Sequence, residues 1–178
     1  LTGNNNIRTP RVNASSISQA TSNTTAGKTS PITGKEKKTL PAKHRVAMVE
    51  RAIADNSHFE LDLTEIERGG VSYTYDTIVA LKQQHPEIDY YFIIGGDMVD
   101  YLPTWHRIDD LVQVVQFVGV KRTGYAQQTP YPVLWVDAPV IDVSSTQIRN
   151  KIQQGCSVRY LLPDPVFEYI QKEGLYHE

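Results

Sequence analysis

The sequence predicts an α/β protein built on a parallel sheet. Three observations carry this. Short apolar runs such as "DYYFIIGGD" (residues 89–97) and "VLWVD" (133–137) end in turn-forming residues, as buried strands do. Other stretches place apolar residues at helical spacing, among them Ile78 with Leu81 and Ile108 with Leu111 and Val115. The two kinds of stretch alternate along the chain, which implies right-handed crossovers and a sheet covered on both faces. In such sheets ligands bind outside the carboxyl ends of the strands, so the turns that follow strands are where function is sought.

The elements follow in order. Residues 1–34 are rich in Asn, Ser, Thr and Gly, hold no aromatic residue and show neither period, and are expected to be a disordered or atypical extension. Gly27-Lys28-Thr29 matches the end of a phosphate-binding P-loop, but the required earlier glycine is Ser22 and no apolar strand precedes it. One domain is expected over 35–178. Pro41 suits a helix first turn, with Val46, Val49 and Ile53 at helical spacing behind it. "HFELDLTEI" alternates Phe59, Leu61 and Leu63 as a half-buried strand does. A helix over about 74–84, the run ending at Gly95-Gly96, a helix through Ile108 and the strands "QFVGVKR" and "VLWVD" come next. Helices after Ser144 and Asp164 close the chain.

Composition narrows the function classes. Eighteen basic and 20 acidic residues give a net charge of −2, so no polyanion-binding surface is expected and nucleic acid is set aside as a partner. A single cysteine, Cys156, excludes an internal disulfide framework and a cysteine zinc site. Apolar runs fall short of the ~20 residues that span a bilayer, so no membrane partner is expected and a cytoplasmic setting follows. The five histidines match no metal-ligand spacing, and His44, His58, His85, His106 and His177 are given no catalytic role. No protein-built metal site is expected.

Three turns draw attention. In "VSSTQIR" a cap at Ser144 would aim the free N–H groups and positive end of a helix at an anion, with Ser145 and Arg149 one turn apart on the same face to grip a phosphate. A plain capped helix would explain Ser144 alone. In "IIGGDMVDYLPTWHR" Gly95 and Gly96 permit close backbone approach, Asp97 offers a carboxylate to sugar hydroxyls, and Trp105 is either a platform for a flat ring or core. In "ERGGVSYTYDT" Gly69 and Gly70 form a joint, and Ser72, Tyr73 and Thr74 bring hydroxyls and amides to a helix start. A cap from Thr74 is the plainer reading there.

Taken together, "SYTYDT", "FIIGGDMVDYLPTW", "FVGVKR", "VSSTQIR" and "YLLPDPVFEYIQKEGLY" resemble the nicotinate-nucleotide adenylyltransferases of the nucleotidylyltransferase superfamily, over about four fifths of the chain. The resemblance implies a doubly wound, Rossmann-like fold. It further implies transfer of AMP from ATP to nicotinate mononucleotide, giving deamido-NAD and pyrophosphate in NAD biosynthesis. Carried over, Ser145 and Arg149 hold the ATP phosphates and act in catalysis, Ser144 and Thr146 support that turn, and Gly95, Gly96 and Asp97 lie against the ATP sugar. Trp105 stacks on the nicotinate ring, Ser72, Tyr73 and Thr74 receive its carboxylate, and Mg2+ accompanies ATP. Arg122, after a strand, faces either the phosphates or solvent.

One family feature is not in the text. The superfamily opens on a strand and a turn of the pattern G-x-F-[DN]-P-x-H-x-G-H, and residues 1–34 hold neither histidine nor phenylalanine. The expected first strand and its catalytic turn are missing from these residues. Losing one preorganised transition-state donor costs ~100- to 1000-fold in rate, so little turnover is expected of the chain as written. A remnant that binds ATP or a pyridine nucleotide without turnover is the alternative. A sibling acting on phosphopantetheine is another, although it would not be expected to carry both "SYTYDT" and "LPTW". The sheet edge left by a missing strand makes a homo-oligomer an expectation as well.

Overall fold

The computed structural model describes residues 11–13, 40–121, 128–139, 141 and 143–177. In chain order the elements are β1 (Arg11–Asn13), α1 (Ala42–Ile53), β2 (Glu60–Asp62), α2 (Thr64–Arg68), α3 (Thr74–Gln84), β3 (Tyr91–Gly95), α4 (Gly96–Val99), a 3₁₀ turn (Leu102–Thr104), α5 (Ile108–Val114), β4 (Gln116–Val120), β5 (Val133–Val136), α6 (Ser145–Gln153) and α7 (Asp164–Lys172). They form two compact units, and the described chain passes from one to the other between Arg68 and Gly69 and again before Val143. Gly69 and Gly70 are both left-handed, at φ +66° and +70°, a conformation that side chains with a Cβ rarely adopt.

The first unit holds β1, α1, β2, α2, α6 and α7. β1 pairs with β2 in parallel, Arg11 opposite Glu60 and Asn13 opposite Asp62, so the stretch expected to be irregular contributes a three-residue strand. The strand around Leu61 is shorter than its alternation predicts. Its buried residue is Asp62 and Phe59 is exposed. The cause is local: Asp62 Oδ1 accepts the N–H of Thr64 at 2.9 Å, which ends the strand and starts α2. Pro41 sits at the cap of α1 rather than inside its first turn. α1 and α7 meet through His44 Nδ1, 2.9 Å from the Tyr169 hydroxyl, and through the Arg51 guanidinium, 4.2 Å above the Tyr169 ring. Ile152, Val158, Val166, Ile170 and Leu175 form the core.

The second unit holds a parallel sheet in the order β3-β4-β5, with Ile93 opposite Val118 and Val118 opposite Leu134. The predicted strand, helix, strand succession from α3 onward is present at nearly the predicted positions. One sheet face carries the core: Phe117 is fully buried among Ile94, Leu102, Trp105 and Leu111. On the other face Ile93 is 70% exposed, with Tyr91, Leu134 and Val136 exposed beside it.

Gly119 fixes how β4 and β5 pack on the core face. A Cβ at this position would lie 2.8 Å from the Trp135 ring and 2.8 Å from Val133 Cγ1. Both neighbours are half-buried side chains of the adjoining strand, so Gly119→Ala is expected to lower stability by about 1–3 kcal/mol through overpacking. Chemical denaturation would check this, and an unchanged midpoint would show that Trp135 moves aside freely.

Candidate active site

In the first unit the site begins with the cap of α6. Ser144 Oγ accepts the N–H of Gln147 at 3.2 Å, and Gln147 Oε1 accepts the N–H of Ser144 at 2.8 Å, a reciprocal capping box. The cap predicted at Ser144 is therefore present, and its hydroxyl serves the helix. Ser145 opens the helix half-buried. One turn on, Arg149 Nη2 donates to Thr146 Oγ1 at 3.2 Å, which brings these two predicted residues together and steadies the guanidinium. Burial pushes the Tyr176 phenol pKa up, while the positive charges of Arg149 and Arg45 pull it down. Arg149 and Arg45 thus act on the same phenol. With no acidic residue in the first turn of α6, the helix dipole and this guanidinium give the turn a positive character suited to phosphate.

In the second unit the carboxyl end of β3 runs directly into α4. A Cβ at Gly95 would lie 2.6 Å from Asp97 Oδ1, so the room that glycine provides there is taken by the carboxylate of Asp97. Gly96 is buried. Trp105, at the end of the 3₁₀ turn, is 7% exposed and meets Phe92 and Phe117 edge-on at 5.6 and 5.9 Å between centroids. It is a core residue whatever else it does.

The cap of α3 is Tyr73, not Thr74, and Tyr73 makes no side-chain capping bond. Thr74 is buried in the first turn and Ser72 is half-buried before it. The Tyr73 ring stacks on His106 with centroids 4.2 Å apart. Next to it, the Arg107 guanidinium lies 4.1 Å over the Tyr75 ring while its Nε donates to Asp110 at 2.7 Å. The segment after Trp105 is thereby fastened to the first turn of α3 by two ring contacts. Neither is legible from sequence, where His106 stands among scattered histidines. Its place beside Trp105 is the one local signal.

The predicted residues therefore fall into two sets. Ser144, Ser145, Thr146 and Arg149 belong to the first unit, and Ser72, Tyr73, Thr74, Gly95, Gly96, Asp97 and Trp105 to the second. Arg122 and the Gly27-Lys28-Thr29 stretch lie outside the described residues. Among the described residues no group of three or more His, Cys, Asp or Glu is arranged to hold a metal ion, and no helix is long and apolar enough to cross a membrane.

A family profile described as cytidylyltransferase-like matches residues 17–151, a span that includes all three turns. A relative from Lactiplantibacillus plantarum, named "Probable nicotinate-nucleotide adenylyltransferase", is 60% identical over 143 residues, covering 80% of this chain and 68% of the relative. The chain belongs to the nicotinate-nucleotide adenylyltransferase family. An Enterococcus faecalis relative of the same name is 57% identical over 143 residues, 80% of this chain and 65% of its own length. The chain thus spans about two thirds of the length of these adenylyltransferase relatives. The fold agrees. A solved Plasmodium falciparum nicotinic acid mononucleotide adenylyltransferase complexed with NaAD has a TM-score of 0.66 at 21% identity, covering 80% of this chain and 78% of that one. The same enzyme complexed with APC has a TM-score of 0.62 at 20% identity, covering 76% of each chain.

Proposed function

We propose that this protein transfers the adenylyl group of ATP to nicotinate mononucleotide, giving deamido-NAD and pyrophosphate. The observation that carries the reading is the 60% identity over four fifths of the chain to a relative named for that reaction. An oxygen of the mononucleotide phosphate attacks the α-phosphorus of ATP, the bond to the bridging oxygen of the β-phosphate breaks, and pyrophosphate leaves with the electron pair. Arg149 and Ser145, on the first turn of α6, hold the phosphates and offset the charge that grows there, with Thr146 positioning the guanidinium and Ser144 the turn itself. Gly95, Gly96 and Asp97 face the ATP sugar. Magnesium enters as part of the ATP substrate and neutralises polyphosphate charge. Trp105 stacks on the nicotinate ring with the little of its surface left open. Ser72, Tyr73 and Thr74 present the start of α3 to the nicotinate carboxylate, where an uncapped helix end favours an anion. NAD biosynthesis and a cytoplasmic setting go with this reading.

The carboxylate assignment has a test that does not depend on turnover. Nicotinate mononucleotide should bind more tightly than its amide counterpart by about 1–3 kcal/mol, the scale of a charge-assisted hydrogen bond. Calorimetric titration with each nucleotide measures this, and equal affinities would remove the start of α3 from the site.

A further inference from the structure

We propose that Lys121 receives the 5′-phosphate of the mononucleotide substrate, and that Asp137 holds its ammonium group in place until that phosphate arrives. The proposal rests on the adenylyl-transfer reading and adds a residue to it. Lys121 follows β4, the middle strand, and therefore stands at the carboxyl end of the sheet, where ligands of parallel sheets bind. Gly95, Val120 and Val136 share one register row, so Lys121 comes directly after the partner of Gly95. Its N–H donates to Val136 O at 3.1 Å, which fixes the backbone beyond the end of the strand.

Strand alternation puts Phe117, Gly119 and Lys121 on one face. It is the core face: Trp105 lies against Phe117, and the Trp135 ring covers Gly119. The lysine is therefore on the same side of the sheet as the residue proposed to stack on the pyridine. That shared face is why the mononucleotide, rather than ATP, is named as the source of the phosphate.

The present partner of the lysine is replaceable. Lys121 Nζ is 3.0 Å from Asp137 Oδ1, but the Asp137 side chain is 85% exposed and that of Lys121 34%. Exposed ion pairs of this kind contribute little, because solvent screens them and holding two long side chains costs entropy. A phosphate dianion, with twice the charge and three acceptor oxygens, displaces a single carboxylate readily. The plainer account is a cross-strand ion pair that only ties the ends of β4 and β5 together. The two accounts differ in sign at Asp137. A tie loses the same thing from either side, whereas a holding carboxylate competes with the ligand.

Calorimetric titrations of wild type, Lys121→Ala, Lys121→Arg and Asp137→Asn with nicotinate mononucleotide, Mg·ATP and inorganic phosphate decide between them, alongside denaturation midpoints. Lys121→Ala should weaken the mononucleotide about tenfold or more and leave ATP nearly unchanged, Lys121→Arg should restore most of the loss, and Asp137→Asn should tighten binding. Equal shifts of midpoint in Lys121→Ala and Asp137→Asn with no change in any ligand would overturn the proposal. So would a loss confined to ATP. Mononucleotide binding that ignores Lys121 would sink the lysine and spare the adenylyl-transfer reading. Inorganic phosphate binding that needs Lys121, with no mononucleotide binding, would overturn both and leave Lys121 as a contact for the phosphate of another ligand. No binding of any of the three to wild type would overturn both.

Discussion

Trp105→Ala is expected to destabilise the second unit by about 3–5 kcal/mol, the usual cost of removing a buried aromatic side chain. Its ring is 7% exposed and wedged edge-on against Phe92 and Phe117, so truncation opens a cavity at the centre of the core cluster. The proposed stacking role adds a second loss, in affinity for the pyridine nucleotide but not for ATP. Trp105→Phe separates the two, because a smaller aromatic ring recovers part of the packing and keeps a π-face for the nicotinate. Urea denaturation measures the first effect and calorimetry the second. A loss of stability below about 1 kcal/mol in Trp105→Ala would contradict the core packing described, and a larger loss of ATP than of nucleotide affinity in Trp105→Phe would remove the stacking role.

Arg149→Ala is expected to weaken Mg·ATP by about 10- to 100-fold, the range of a charge-assisted contact to phosphate, and to leave nicotinate mononucleotide nearly unchanged. Arg149→Lys should recover only part of this, since an ammonium cannot offer the planar two-donor fork of a guanidinium. The helix should survive either change, because the capping box between Ser144 and Gln147 does not involve Arg149. Circular dichroism checks that survival, and calorimetry with each ligand checks the selectivity. Equal weakening of both ligands would mean that Arg149 acts through the fold and not through the phosphates.

The turn before α6 was the most legible part of the chain because a capping box is written within four residues. Ser144, Gln147 and the apolar spacing behind them suffice. β3, β4 and β5 were equally plain as strands, since short apolar runs bounded by turn residues have few other uses. Their burial was not: an apolar run does not say which of its faces meets a core, and Ile93 and Ile94 are neighbours with opposite outcomes. The region of Asp62 failed for a different reason, as a side chain to backbone bond outweighed the alternation of Phe59, Leu61 and Leu63. The stack of Tyr73 on His106 and the pairing of β1 with β2 join residues far apart in sequence, and no local pattern encodes either. Trp105 was readable as core or platform, and only its neighbours in space show the core role.

The chain has two tryptophans, Trp105 and Trp135, and both lie in the second unit, one buried against Phe117 and the other lying over Gly119. Intrinsic tryptophan emission therefore originates in that unit. An optical titration with the pyridine nucleotide has two native fluorophores in the unit that holds its proposed ligand residues, and the exposed thiol of Cys156, just beyond α6, offers a point of attachment for a label that reports on the first unit.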